Sequence, residues 1–513
     1  MAVSYLLRIS WRGDSTFALE GDDVLSLGRV KPDLTISYGR DQSRALSPIA
    51  AGSIAFRLNN ISRDYSPENT ASPLAGFLDP ARPLIAGATA GATSYTLFQG
   101  HTDDFKVDPA PNTKEVDVSG LDALADFREN KATTDLFPVV RTGAAIHAIL
   151  DAIGWPAELR DIDVGATTLR WWCLDDEEAW QSMANIVNAE GTPALITMGV
   201  DGKVIFRDRH HRLLRTESNT SQATFRDTGA EPLYSAPVEY DQGWRDVYNV
   251  VSIAVDERDP SPLLSAVWTS DLTYSIPSGQ TYSITASSSE PFHGAITPVE
   301  GTDFQVRSGS ASVSLSRTAG KSVTITITAT GDTVIDSLQL RAYEVKVSRT
   351  VQVEQEMTTS ISRYGRKSFP DTAKGACLED AKAIADIVLS YRSERLPTFS
   401  LTMIGDRDER AAQCFGRDLS DRVTIVSGEL GMSRDFFIEQ VSHVLPLGGL
   451  YPRTTFGCEA APAPADTPFT FDDATLGKFG TGKFAAAPLD TASSIFIWDH
   501  ATQAKFGTGL FAS

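Results

Sequence analysis

Cysteine is scarce: Cys173, Cys377, Cys414 and Cys458 are spread over 513 positions without a single C-x-x-C pair. That scatter argues against a zinc site or a disulfide framework and leaves ordinary buried or half-buried thiols. No stretch approaches the roughly 20 uninterrupted apolar residues a membrane helix needs, so no membrane segment is expected. The start, MAVSYLLRISWRGDS, lacks the basic flank, long apolar run and small-residue cleavage site of a secretory signal. The chain is therefore expected to be made in, and at first to stay in, a cytoplasm. Basic residues are in deficit, 46 against 66 acidic, for a net charge of −20. Phosphate binding needs a concentrated basic face, so sequence-specific nucleic-acid recognition is not expected.

Catalytic signatures are missing too. There is no G-x-S-x-G elbow, P-loop, H-E-x-x-H helix or twelve-residue calcium loop. Of seven histidines only His210 and His211 are adjacent. Neighbours on a strand face opposite ways, so they read as a solvated strand end and not as a metal site. The GHTDD run, Gly100 to Asp104, offers a base and carboxylates, but nothing elsewhere supplies a nucleophile or an oxyanion site. Asp406 to Arg410 reads as a charged, solvated loop. Trp171 and Trp172 precede a helix; one ring is expected in a core and the other at a domain or subunit boundary, while a sugar platform would need both exposed. No enzyme activity, metal or cofactor is expected.

What is present is strand. Apolar residues make up 42% and charged residues 22%, ordinary for globular cores. At roughly 150 residues per domain, the length suggests three or four domains. YLLRISW, DLTISYG, GSIAFRLNN, SYTLFQGHTDDFKVDP and KEVDVSG read as strands within residues 1–135, with a short helix starting near Leu121. RTGAAIHAILDAIG places Ala145, Ile146, Ile149, Leu150 and Ile153 near one helical face, with Thr142 as N-cap and Gly154 as stop. DDEEAWQSMANIVNAEG repeats the device, with Asp175 and Glu178 at capping-box spacing and Gly191 at the end. ALITMGVDGKVIFRDR then reads as a hairpin turning at Asp201-Gly202.

From Tyr248 to Val353 the signal is nearly all strand, including LTYSI, TYSITAS, SVSLSR and SVTITITAT, which suits a β-sandwich or a sandwich-like insertion. A third helix from Leu378 carries Ala381, Ile384, Ala385 and Val388 on one face. It leads to the strands TFSLTMIG, DRVTIVS and FFIEQVSHVL. The expected class is α+β, predominantly β and multidomain: small β-barrel-like domains, a two-helix α+β unit and a sandwich-like region. The expected divisions are 1–135, 136–240, 241–369, 370–457 and 458–513.

The last division begins with an Ala/Pro spacer, CEAAPAPADTPFT, and ends in a duplication. FDDATLGKFGTGKFA from Phe471 and WDHATQAKFGTGLFA from Trp498 agree at ten of fifteen positions. Each copy centres on a glycine turn flanked by aromatics: Phe479, Gly480, Gly482 and Phe484, then Phe506, Gly507, Gly509 and Phe511. Two such short copies bury no core alone, so with Phe471 and Trp498 they are candidate docking residues.

Ordered motifs carry a resemblance. TYSIPSGQTYSITASSSEPF, SISRYGRKSF, the helix from Leu378 leading into SERLPTFSLTM, DLSDRVTIVSGELGMSRDFFIEQVSHVL and the duplicated K-F-G-T-G-x-F end together resemble minor tail proteins of long-tailed actinobacterial phages. The helix–helix–hairpin unit at 136–212 is similar to part of the same tail-tip hub. The resemblance covers about residues 120–450 and the C-terminus. It implies a homotrimeric virion protein at the tail tip, closing the tail tube and meeting the distal tail protein, the tape measure protein and receptor-binding or fibre proteins. It also implies that the N-terminal and 370–450 β-regions are two ring-forming domains. A competing reading is a receptor-binding tail protein gripping cell-wall carbohydrate, for which Trp268, Tyr274, Tyr282 and Tyr343 are the candidate aromatics. A cell-wall hydrolase is disfavoured because no nucleophile or metal constellation exists.

Overall fold

A computed structural model describes residues 3–18, 21–26, 28–31, 33–40, 49–108, 110, 112–372, 377–446 and 451–461, with the short strands Lys505–Phe506 and Gly509–Leu510. Strands hold 48% of the described residues and helices 16%, in several sheets. This is the predominantly β, multidomain class read from the sequence.

The largest sheet has twelve strands, drawn from both ends of the chain. Its main path runs Ser4–Ile9, Pro83–Ala90, Thr93–Val107, Glu115–Leu121, Ala50–Asn59, Leu34–Gly39, Met432–Leu445, Arg453–Ala460, Thr398–Ile404 and Ser235–Asp241. Arg422–Ser427 pairs with Met432–Leu445, and Thr224–Arg226 lies parallel to it. Alternation along these strands buries every second side chain, as in Ala50–Asn59, where Ile54, Phe56 and Leu58 are enclosed. One apolar core, including Trp11, Phe225, Phe399, Phe436 and Phe456, underlies both halves.

The seam between the halves is Leu34–Gly39 against Met432–Leu445, with Leu34 opposite Leu445 and Gly39 opposite Gln440. Gly39 has φ +110°, and a β-carbon there would stand 2.4 Å from the Glu439 carbonyl oxygen. The seam therefore requires glycine at this position.

The 136–212 stretch forms the expected helix–helix–hairpin unit. Helices Thr142–Ala152 and Ala179–Glu190 cover the hairpin Leu195–Met198 and Val204–Arg207, around a core of Ile146, Ile149, Met183, Ile186 and Phe206. Gly154 and Gly191 follow the two helices with positive φ, as read. The caps differ from expectation. Thr142 is the first helical residue, with Arg141 at the N-cap, and its hydroxyl instead donates to Glu190 Oε2 at 2.6 Å. Asp175 caps nothing, because Glu177–Glu178 are drawn into a strand pair with Lys131–Ala132 and the helix starts directly after them. Leu121 ends a strand and does not start a helix. Asp122 accepts the amides of Gly52 at 2.6 Å and Leu124 at 3.0 Å, and only a 3-10 turn, Asp126–Arg128, follows.

The third helix, Leu378–Arg392, sets Ala381, Ile384, Ala385 and Val388 against Val251, Ile253 and Val255. The strand Thr333–Glu356 links two modules. Residues 345–356 pair with Val250–Pro260 in the body, while 333–342 pair with Ser265–Ile276 in a sandwich. The second sandwich sheet is Thr281–Ser287, Ser322–Ala329 and Ala311–Ala319. Ile325, Ile327, Phe292, Ile335 and Leu340 fill the space between the sheets.

Candidate assembly surfaces

The twelve-stranded path ends in two edges of different character. At one, Ser10 N–H bonds inward to Pro83 while Ile9 N–H bonds outward to Asp22. Antiparallel alternation turns the main-chain groups of Leu7 and Tyr5 outward as well; the isolated antiparallel bridge Arg8–Asp23 covers the edge around Leu7–Ile9, and before it no strand pairs with Tyr5 among the described residues. The opposite edge, Ser235–Asp241, is interrupted by Pro237 and a register shift between Ser235 and Val238. Proline and a bulge are devices that block indiscriminate pairing, so one edge is guarded, while the other is partly covered by the Arg8–Asp23 bridge and leaves only the stretch around Tyr5 to pair with another chain.

Behind these edges, buried ion pairs lock the α+β unit and the long helix to the sheet. Arg209 and Glu190 have fully enclosed side chains. Glu190 accepts from Thr142, Ala166 N at 2.9 Å and Thr167 N at 3.0 Å, while Arg209 reaches Thr167 and, at 3.4 Å, Asp380 of the long helix. Asp380 also accepts Thr168 N at 2.9 Å and the Cys377 thiol at 3.1 Å. One turn along, Arg212 binds Glu439 and lies 4.2 Å from the centre of the Phe437 ring. Burial pushes the Glu439 carboxyl upward, but Arg212 and Arg40 outweigh it and hold the group below the ordinary carboxylate value. Arg392 closes the set with a two-pronged contact to Glu459.

His210 and His211 do not form a solvated strand end. His211 opens the helical turn His211–Leu214 and is 2% exposed. Its Nδ1 lies 2.7 Å from the Asp208 carbonyl, which can only accept, so Nε2 accepts from the Ser420 hydroxyl at 2.6 Å. Burial and the adjacent Arg212 push its pKa well down, and the ring is neutral. The sequence signal missed this because the turn's role depends on a partner two hundred residues away.

Asp406 to Arg410 is likewise more than a solvated loop. The helix Asp408–Gly416 starts within it, and Arg410 contacts Glu231 at 2.7 and 2.8 Å and Asp406 at 3.0 Å. His101 of the GHTDD run meets Asp126 at 3.1 Å, which raises its pKa. Trp172 packs on Phe137 in the α+β core. Trp171 stacks 5.1 Å from His293, which stacks 5.4 Å from Tyr343, at the seat of the sandwich. One ring in a core and one at a module boundary is the arrangement read from the sequence, and it leaves no platform of two exposed indoles. Cys414 and Cys458 are buried, Cys173 and Cys377 half-buried, and all four are free thiols.

Among the described residues, no group of three or more His, Cys, Asp or Glu side chains could hold a metal ion. No helix among them is long and apolar enough to cross a membrane. Of the four aromatics considered for carbohydrate, Tyr274 is buried, Trp268 packs on the sandwich core, Tyr343 is stacked on His293, and Tyr282 alone is substantially exposed. The candidate docking residues Phe471, Phe479, Gly480, Gly482, Phe484, Trp498, Gly507 and Phe511 lie outside the described residues. Phe506 and Gly509 face each other in the short antiparallel pair of the second repeat.

No protein-family model matches this sequence, and no curated protein does. Several solved structures are similar to it over most of its length. A tail protein from Neisseria meningitidis MC58 is 12% identical, covering 90% of this chain and 97% of its own, with a TM-score of 0.48. A 43 kDa tail protein of prophage MuSo2 from Shewanella oneidensis is 11% identical, covering 89% and 98%, with a TM-score of 0.45. Prophage tail protein gp18 from Listeria monocytogenes EGD-e is 8% identical, covering 83% and 87%, with a TM-score of 0.38.

Proposed function

We propose that this chain is a structural phage tail protein, the homotrimeric hub that closes the distal end of a long tail tube and docks receptor-binding or fibre proteins. The observation that carries the reading is the single sheet built from early and late segments of the chain, with one guarded and one only partly covered edge, to which the remaining body is clamped by buried ion pairs. A ring component must present surfaces that close on copies of itself and must not deform when loaded. The uncovered stretch of edge supplies the first property, and enclosed Arg–carboxylate pairs between modules supply the second. Of the ordered motifs that resemble actinobacterial tail-tip proteins, the helix from Leu378 with the strand that follows it and the segment Asp418 to Leu445 fall on these same elements. Net charge of −20 also suits a DNA conduit, since carboxylates and phosphates repel. The distal tail and tape measure proteins are the expected neighbours, and the duplicated C-terminal segment is the expected docking arm.

Light scattering of the purified chain across micromolar concentrations tests the oligomer. A trimer is expected. A Leu7→Pro change would damage a fully buried core residue as well as the edge, so the sharper variant is Tyr5→Pro, which removes one outward amide and a ring that is only half-buried against the core. It should lower the trimer fraction while leaving the circular dichroism unchanged. A chain that stays monomeric throughout, and yields no cross-linked trimer in particles, would contradict the reading.

A further inference from the structure

The outward face of the three-stranded sandwich sheet is a grid of hydroxyls. Strand register places Thr281 beside Thr328 and Ser312, Ser283 beside Thr326 and Ser314, and Thr285 beside Thr324 and Ser316. All nine positions of this three-by-three array are serine or threonine. The six on the outer strands are exposed and the three on the central strand are half-exposed. Some hydroxyls are paired across strands, Thr281 to Thr328 at 3.3 Å and Ser283 to Thr326 at 3.4 Å, which fixes their spacing. Beneath them Val323, Ile325 and Ile327 are locked in the sandwich core, so the array is rigid.

Such a face is unusual on two counts. A protein surface carries charge at about a quarter to a third of its positions, and edge strands are commonly guarded by lysine. Elsewhere this chain follows that habit, pairing Arg57 with Asp117 and Arg349 with Glu257 on exposed strands. The grid has no charge and no large apolar group. Protein interfaces are depleted in serine and built on aromatic anchors, nucleic acid requires cations, and membrane surfaces require apolar or basic groups. A ligand that is itself neutral and densely hydroxylated matches this chemistry. Rows about 4.8 Å apart, with about 6.7 Å between side chains on one strand face, present donors and acceptors at intervals comparable to a sugar ring.

We propose that this grid is a docking face for a neutral glycan chain, acting through many weak hydroxyl contacts and not through aromatic stacking. It goes beyond the hub reading and does not depend on it. The test is co-sedimentation of the full chain with two insoluble neutral glycans, chitin and cellulose. Wild type should pellet with at least one of them. Thr326→Lys with Ser283→Lys should weaken pelleting at least ten-fold at an unchanged thermal midpoint, and Tyr282→Ala should have little effect. The milder Thr326→Val, which keeps strand propensity, should weaken it several-fold. Failure of wild type to pellet with either glycan, or equal pelleting by the lysine variant, would overturn the proposal. So would loss of self-association without loss of glycan binding, which would make the face a contact between copies.

Discussion

Arg392 holds Glu459 through two parallel hydrogen bonds, Nη1 to Oε1 at 2.6 Å and Nη2 to Oε2 at 3.0 Å. The arginine ends the long helix and the glutamate lies on a strand of the large sheet, with side chains only 3% and 13% exposed. Removing one partner strands the other charge in a poorly solvated place, which costs about 3–5 kcal/mol. Arg392→Met should lower the urea midpoint accordingly, and Arg392→Met with Glu459→Leu should recover most of the loss. A double variant no better than the single would show that the pair is not coupled.

The sandwich is seated on the α+β unit by a contact that tolerates no side chain. A β-carbon on Gly320 would lie 2.5 Å from Cys173 Cβ, and Gly320 N–H donates to the Thr134 carbonyl at 2.9 Å. Gly320→Val should lift this seat without disturbing either core. Burial also raises the Cys173 pKa and slows its reaction. Thiol labelling at Cys173, followed by mass spectrometry, should therefore be slow in wild type and much faster in the variant. Equal rates would contradict a close seat.

Acid should loosen the large sheet through its buried histidine. Burial lowers the His443 pKa to about 4, and its Nδ1 bonds Thr454 Oγ1 at 2.9 Å. The unfolded chain takes up a proton near the ordinary value of 6.5 and the folded one does not. Stability from this group is therefore intact above about pH 6.5 and is lost as pH falls toward 4. His211 acts in the same direction. Asp122, raised to about 7 by burial, acts oppositely: its contribution is fully present below the ordinary carboxylate value and is lost as pH rises through 7. His443→Phe should flatten the fall in thermal midpoint between pH 6.5 and 4.5. An unchanged slope would show that other groups set it.

The proposed docking role of the duplicated segment predicts that deleting residues 471–513 leaves a folded, trimeric chain that fails to enter particles. Normal incorporation of the truncated chain would remove the docking role of Phe479, Phe484, Phe506 and Phe511.

Local signals in the sequence suffice where a segment's own periodicity decides its state. The three long helices, the hairpin at Asp201-Gly202 and the sandwich strands fall where spacing and turn residues put them. Local spacing does not settle the caps, because Thr142 and Glu178 are claimed by tertiary partners, Glu190 and the strand Lys131–Ala132. The buried joint was not legible at all. Nothing around Arg209, Arg212 or Glu439 marks them locally, and their partners lie 171 and 227 residues away along the chain. The hydroxyl grid was half legible: SVTITITAT announces a strand with threonines on one face, but only register with two other strands turns a row into an array.

The proposed hub role requires this chain to hold a fixed place in a closed assembly at the end of a tail. Electron cryomicroscopy of intact particles, with the chain located by density and by labelling, measures that directly. The account predicts three copies around the tail axis at the distal end of the tube, with the large sheets forming a ring and the sandwiches outside it. Particles of complete composition that lack the chain, or copies found away from the tip, would contradict it.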